Sequence, residues 1–202
     1  MTITYKVGTG LYVNMTNKCT NACDFCIRNN GDGAYGSDPL WLEREPEREE
    51  VLDDIKRAWE QDDYSELVFC GFGEPTCRLF DMLWVCEELK KSTPGMKIRL
   101  NTNGQSDLIW EQDTAPLFEG KVDFVSISLN SADAKKYQDV CHSDFGERAY
   151  GAMLDFAKNV QKYVPDVAFS VVRGFLSEDD IKTCEQIAKE TGVRLRVREY
   201  SA

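Results

Sequence analysis

An α/β fold whose parallel sheet curves without closing is predicted for this chain of 202 residues by three observations. Six short runs rich in Val, Ile, Leu and Phe, at residues 11–16, 66–71, 97–102, 124–129, 167–173 and 194–199, alternate with segments of helical period. Such alternation implies parallel strands joined by right-handed crossovers. Within the strands, apolar and polar residues take opposite faces, which a closed barrel packed with branched apolar side chains would not need. Six β/α units without a seventh and eighth fall short of closure. The expectation is a partial (β/α)6 TIM-like barrel with parallel strands, open on one side, residues 1–202 forming a single domain.

Taken in order, Gly8-Thr9-Gly10 reads as a turn leading into the first strand, where Leu11, Val13 and Met15 oppose Tyr12, Asn14 and Thr16. The loop 29–39, with Gly31, Gly33 and Gly36, is either a mobile flap beside the site or an ordinary surface loop. A helix over 46–62 places Pro46 in its first turn, and the acidic residues from Glu43 to Glu66 read as its solvated face. Helices follow over 79–92, 107–118, 134–140 with 148–163, and 178–191. Ser177 with Asp180 resembles a capping box, and Gly192 suits a C-terminal cap. On the third strand Ile98 and Leu100 oppose Arg99, Asn101 and Asn103. On the fourth, Val125, Ile127 and Leu129 oppose Ser126, Ser128 and Asn130. On the last, Leu195 and Val197 oppose Arg194, Arg196 and Arg198. The apolar sets pack under helices, and the polar sets face a ligand cavity or a solvated sheet face. Buried arginines are costly unless paired, so Arg196 and Arg198 are expected to meet acids of the chain or an anionic ligand.

The formal net charge of −11 argues against a protein that holds long nucleic acid stably, since such affinity draws on a basic face. A small anionic substrate or a nucleotide stays open. No apolar run is long enough to span a membrane, and the N-terminus lacks the apolar stretch of a secretory signal. Eight cysteines without such a signal point to reduced thiols and a cytoplasmic location.

Three of those cysteines fall at Cys19-x-x-x-Cys23-x-x-Cys26. Three thiolates on one short loop can hold a metal centre while leaving it one ligand short of closure, and an open position is where metal chemistry happens. A zinc knuckle or a chance grouping is the competing reading. The second strand runs into Gly71-Phe72-Gly73-Glu74-Pro75, at the C-terminal end of a strand where barrel sites are built. Together, the cysteine loop with Phe25 before its third cysteine and the Gly73-Glu74 turn resemble the radical S-adenosylmethionine (radical SAM) enzymes. The resemblance extends from Leu11 to Tyr200, with Phe72 standing where that family has the first glycine of its Gly-Gly-Glu motif. The stretch from Ser128-Leu129-Asn130 through Tyr137, Cys141 and Phe145-Gly146 is similar to the TatD-associated members.

The resemblance implies a 4Fe–4S cluster held by Cys19, Cys23 and Cys26, with S-adenosylmethionine on the remaining iron. It implies Gly73 and Glu74 at the methionine amino group, and Asn101 and Asn103 at the third-strand end. Ser126, Ser128 and Asn130 would lie at the ribose, and Phe25 and Val172 on either side of adenine. Arg173, Arg196 and Arg198 are unranked candidates for the cofactor carboxylate or a substrate anion. The family's activity is reductive cleavage to a 5′-deoxyadenosyl radical that takes a hydrogen atom, with a flavodoxin or ferredoxin as donor. A small molecule or a nucleotide fits as substrate, because no auxiliary-cluster pattern or peptide-recognition extension is seen. TatD-like proteins are metal-dependent nucleases, which hints at nucleotides. Two alternatives remain: a non-catalytic iron–sulfur or metal-binding module with Cys70 or Cys77 as fourth ligand, and an activating enzyme for a glycyl-radical protein. Cys141 and Cys77 face either the substrate or the core, and His142 has no second histidine to form a site with.

Overall fold

The computed structural model describes residues 1–199, so Tyr200, to which the sequence resemblance extends, lies outside the described residues. Its elements are β1 (Thr4–Val7), β2 (Gly10–Val13), α1 (Arg48–Trp59), β3 (Glu66–Phe69), α2 (Leu79–Ser92), β4 (Ile98–Thr102), α3 (Ser106–Trp110), β5 (Phe124–Ser128), α4 (Ala134–Cys141), α5 (Arg148–Val160), β6 (Asp166–Val172), α6 (Glu178–Thr191) and β7 (Arg194–Arg198). Seven strands pair in chain order into one sheet. From β2 to β7 every pairing is parallel, in steps such as Asn101 opposite Ser126 and Ser170 opposite Arg196. β1 and β7 are the two edges and do not pair with each other, so the barrel is partial and open.

The sequence expectation lacked β1. It runs antiparallel to β2, with Val7 opposite Gly10 and Gly8 at φ +58° making the reversal. A four-residue strand ending at a two-residue turn gives too short an alternation to separate from a disordered terminus. Two helices also depart from expectation. Pro46 precedes the first turn of α1 instead of entering it, because Glu47 takes the cap and exchanges hydrogen bonds with Glu50. The predicted helix 107–118 breaks after Trp110, where Glu111 adopts a left-handed φ of +52°. Asp107 causes the break: its carboxylate accepts from the Thr114 amide at 2.8 Å and the Thr114 hydroxyl at 2.6 Å, and a 3-10 turn, Ala115–Phe118, follows. Gly192 caps α6 at φ +85°, as expected. At its other end the Asp180 side chain bonds the Ser177 hydroxyl, so only the Ser177 half of the capping box forms.

The core lies between the sheet and its helices. Leu11, Val13, Leu67, Phe69, Leu100, Val125, Ile127, Phe169 and Val171 leave the sheet on the helix side and meet Ile55, Met82, Cys86, Leu89, Phe118, Met153 and Phe156. Each such side chain, once buried, contributes roughly 1.5–3 kcal/mol. Because side chains alternate, burying that face turns Tyr12, Cys70, Arg99, Asn101, Ser126, Ser128, Ser170, Arg196 and Arg198 to the concave side, where they line a cavity.

Candidate functional site

The cavity, of about 410 Å³, opens at the C-terminal ends of the parallel strands. Its rim is the loop after β2. Cys19, Cys23 and Cys26 are each partly buried and all line it, together with Phe25. The loop is fixed by its backbone: the Ala22 amide donates to the Cys141 carbonyl at 3.0 Å, and the Asp24 amide to the Val140 carbonyl at 3.0 Å, both at the end of α4. Beneath it lies a buried polar hub centred on Gln105. That side chain donates to Asn21 at 2.8 Å and to the Tyr137 hydroxyl at 3.0 Å, and accepts from Thr20 at 2.8 Å and Ser143 at 3.0 Å. Asn21 also donates to the Tyr137 hydroxyl at 3.0 Å.

Among the described residues no three His, Cys, Asp or Glu side chains converge tightly enough to share one ion. Cys19, Cys23 and Cys26 offer three thiols, one fewer than a closed tetrahedral zinc site takes and the number that leaves one iron of a cubane without a protein ligand. Burial pushes the Cys19 thiol up to about 12, with Glu74 adding to the effect, and burial also raises Cys26. Cys23 is raised well above the thiol range by its hydrogen bond to the Cys141 sulfur and by burial. Thiols in a dry pocket with little cationic support suit a site where a metal centre supplies the positive charge. Loading Cys23 requires giving up Cys141, which keeps Asn130 as a donor at 3.7 Å.

Glu74 projects from the turn after β3 and is buried. Its Oε1 accepts from the Thr76 amide (3.0 Å), the Thr76 hydroxyl (2.7 Å) and the Thr102 hydroxyl (2.7 Å), and its Oε2 accepts from the Asn103 amide at 2.7 Å. Those donors favour the carboxylate, yet burial outweighs them and holds its pKa above the ordinary value. Oε2, with one donor, keeps acceptor capacity toward the cavity. Gly73 is needed for packing: a Cβ there would lie 2.6 Å from the Lys18 carbonyl oxygen and closer still to that of Thr16. The Glu74 amide donates to the same Lys18 carbonyl at 2.7 Å, so this turn and the cysteine loop are fastened directly together.

The structure brings nearly all the sequence-derived residues to this one cavity: Cys19, Cys23, Cys26, Phe25, Gly73, Glu74, Asn101, Asn103, Ser126, Ser128, Asn130 and Val172. Asn130 turns the chain out of β5 at φ +55°, a left-handed conformation that asparagine tolerates. Arg173 is the exception. It lies outside the cavity lining, exposed, bonded to Glu178 and, at 3.3 Å, to Glu199, because the chain turns outward past the end of β6. Cys70 and Cys141 are near the site while Cys77 is outside the lining. His142 is a surface residue bonded to Asp24 at 2.8 Å. Sequence reasoning missed Gln105, Asn21 and Tyr137 as supports. The Asn103-Gly104-Gln105 polar run at a strand end was the available signal. Phe72 was seen only as a departure. It is buried with Tyr5, Ala34 and Leu40 and meets Trp41 edge-on at 5.0 Å, so it pins the 29–39 loop over the cavity.

A model of the Radical SAM superfamily matches residues 13–187. Molybdenum cofactor biosynthesis protein 1 of Drosophila melanogaster is 26% identical over 192 residues, covering 95% of this chain and 32% of that protein. Among solved structures, Streptococcus suis SuiB bound to S-adenosylmethionine superposes with a TM-score of 0.70 at 22% identity over 96% of this chain and 41% of SuiB. TYW1 with a lysine-pyruvate adduct bound superposes at 0.63 and 18% identity, over 96% and 65%. HydG, a maturase of the [FeFe]-hydrogenase, gives 0.67 and 14%, over 96% and 43%. The chain thus spans about a third of the curated relative and about two-fifths of SuiB. The three solved structures share its fold. The family match takes in the cysteine loop, the Glu74 turn and the parallel strands β3 to β6: the chain belongs to the radical SAM superfamily, whose members are enzymes that bind a 4Fe–4S cluster and S-adenosylmethionine.

Proposed function

We propose that this chain is the catalytic core of a radical SAM enzyme acting on a small-molecule or nucleotide substrate in the cytoplasm. The observation that carries this is the meeting of three partly buried thiols and a buried carboxylate on one cavity at the strand ends. Cys19, Cys23 and Cys26 would hold three irons. The chemistry available with cluster and cofactor bound is one-electron cleavage of the sulfonium to methionine and a 5′-deoxyadenosyl radical. The protein's own part is to bind, orient and exclude water. Glu74, fixed by four donors, takes the cofactor's ammonium through Oε2. Ser126, Ser128 and Asn130 orient the ribose, and Phe25 and Val172 enclose the adenine. Asn101 and Asn103 form the wall next to Glu74. Within the superfamily we place the chain with the TatD-associated proteins, on the segment 128–146. A flavodoxin or ferredoxin is the fitting donor.

Anaerobic reconstitution followed by reductant and S-adenosylmethionine should yield 5′-deoxyadenosine by mass spectrometry. A fully loaded 4Fe–4S sample that makes none would refute this function. Cys70 lines the same cavity, so the electron-transfer reading predicts that Cys70→Ala loses the cluster. The present reading predicts that Cys70→Ala keeps it while Cys19→Ala, Cys23→Ala and Cys26→Ala each lose it.

A further inference from the structure

The side of the cavity formed by β4, β5 and β7 carries an excess of positive charge that the fold does not neutralise. Arg99 on β4 and Arg194, Arg196 and Arg198 on β7 share the concave face of the sheet, with Arg194 and Arg196 over the ring of Phe124 on β5. Arg194 is satisfied by Asp166 at 2.5 Å. Arg99 is only partly satisfied. It meets Glu66 at 3.0 Å and the Tyr12 hydroxyl at 2.8 Å, but its Nε is buried without a hydrogen-bond partner although the side chain is only 12% exposed. Arg196 lies over the Phe124 ring at 5.4 Å, and among the described residues neither its side chain nor that of Arg198 forms an ion pair. Burial, followed by the charges of Arg99, Arg194 and Arg198, pulls the Arg196 guanidinium below its ordinary range, with Glu66 offering the opposing attraction. Like charges gathered in a half-enclosed space cost free energy, and an oxyanion seated among them removes that cost. In a chain of net charge −11 such a pocket is a local exception.

Register places Arg99 below the residues proposed for the cofactor, while Arg196 and Arg198 stand level with two of them, Ser128 (through Ser170) and Val172. Arg99 pairs across the sheet with Phe124, the first residue of β5, whereas Asn103, Asn130 and Glu74 follow the strand ends. Arg196 is one interior step below Arg198, which stands opposite Val172. Resting on the radical SAM reading for where the cofactor sits, we propose that Arg99, Arg196 and Arg198 form an oxyanion subsite that binds a phosphate or carboxylate group of a compact substrate. The size follows from the cavity, whose volume of about 410 Å³ must be shared with the cofactor. An anion held at this wall lies beside Ser126, Ser128 and Ser170, which line the same cavity.

The test is calorimetric titration of the anaerobically reconstituted protein, at fixed ionic strength, with inorganic phosphate, inorganic pyrophosphate and malonate. Wild type should bind at least one of them, and which one distinguishes a phosphate from a carboxylate substrate. Arg196→Gln and Arg99→Gln should each weaken that binding about tenfold or more, and Arg196→Lys less. Arg57→Gln, on the outer face of α1, should leave it unchanged. Circular dichroism checks that each variant folds, and Arg196→Lys keeps the comparison usable should the glutamine variants not fold. Saturating S-adenosylmethionine should leave the wild-type anion affinity unaltered. Absence of binding by wild type, equal weakening in Arg57→Gln, or competition with S-adenosylmethionine would each overturn the subsite. Competition would mean that the arginines serve the cofactor's own carboxylate. Failure of the radical SAM reading registers separately, as missing cluster or missing 5′-deoxyadenosine in the same wild-type sample.

Discussion

Glu74 shows how much one buried carboxylate can be asked to do. Four donors converge on it, and burial still leaves its pKa raised. A raised folded-state pKa means that the favourable contribution to stability is fully present below the unfolded value and is lost as pH rises through the folded one. The proposed role of Glu74 in cofactor binding runs the other way, since an ammonium needs the ionised form. S-adenosylmethionine affinity should therefore fall on acidification, starting above the pH at which an ordinary carboxylate would titrate; calorimetric titration across pH checks this. Glu74→Gln sets an amide N–H against the donors of Thr76 and Thr102 or that of Asn103. It should weaken cofactor binding about tenfold or more and cost about 1–3 kcal/mol in chemical denaturation. Of the sequence-derived residues, Glu74 and the three cysteines were legible as neighbours on one cavity because their signals are local: a short spacing, or a strand end followed by a turn. Arg173 was misplaced by the same logic, because strand alternation stops at the strand's end and the chain turns outward there.

Between elements, the deciding contacts join residues distant in sequence. Gln105 bonds Asn21, 84 residues away, and Asn21 bonds Tyr137, 116 away. These bonds couple the strand-end turn after β4 and the helix α4 to the cysteine loop. Gln105→Ala should cost about 1–3 kcal/mol by leaving buried Asn21 and Tyr137 groups underpaired. It should also lower iron per chain after reconstitution, read by iron analysis against thermal melts. Phe72→Ala tests the other tether. Removing a buried aromatic costs about 3–5 kcal/mol, and losing the contacts to Leu40 and Trp41 should expose the 29–39 loop to limited proteolysis well before the rest of the chain is cut. The helix break after Trp110 belongs to this scale too. Helical periodicity over 107–118 gave no warning of it, because a single carboxylate captured Thr114 against the local propensity.

At the scale of the molecule, an open sheet leaves a concave polar surface that a closed and filled barrel would not have. Seven strands paired in simple order, with the two edges apart, make that surface from residues spread between Tyr5 and Glu199. A ligand that binds only the folded form raises stability by mass action. Cluster reconstitution followed by saturating S-adenosylmethionine should therefore raise the melting temperature in two additive steps, and anaerobic chelation should reverse the first. A melting point indifferent to the cluster would be inconsistent with Cys19, Cys23 and Cys26 as its ligands. No helix among the described residues is long and apolar enough to cross a membrane.

By itself, the sequence determined the alternation of strand and helix, the face each strand buries, the cysteine spacing and the Glu74 turn. Each of these is written in residue spacings of two, three or four, which the backbone repeats convert directly into geometry. Tertiary structure alone decided that Gln105 holds up the cysteine loop, that Phe72 pins the covering loop, and that Arg99 and Arg196 face one another's charge while Arg173 faces outward. Those outcomes depend on the curvature of the sheet, which brings together strands that lie far apart in the chain, and curvature is set by the packing of all the helices at once.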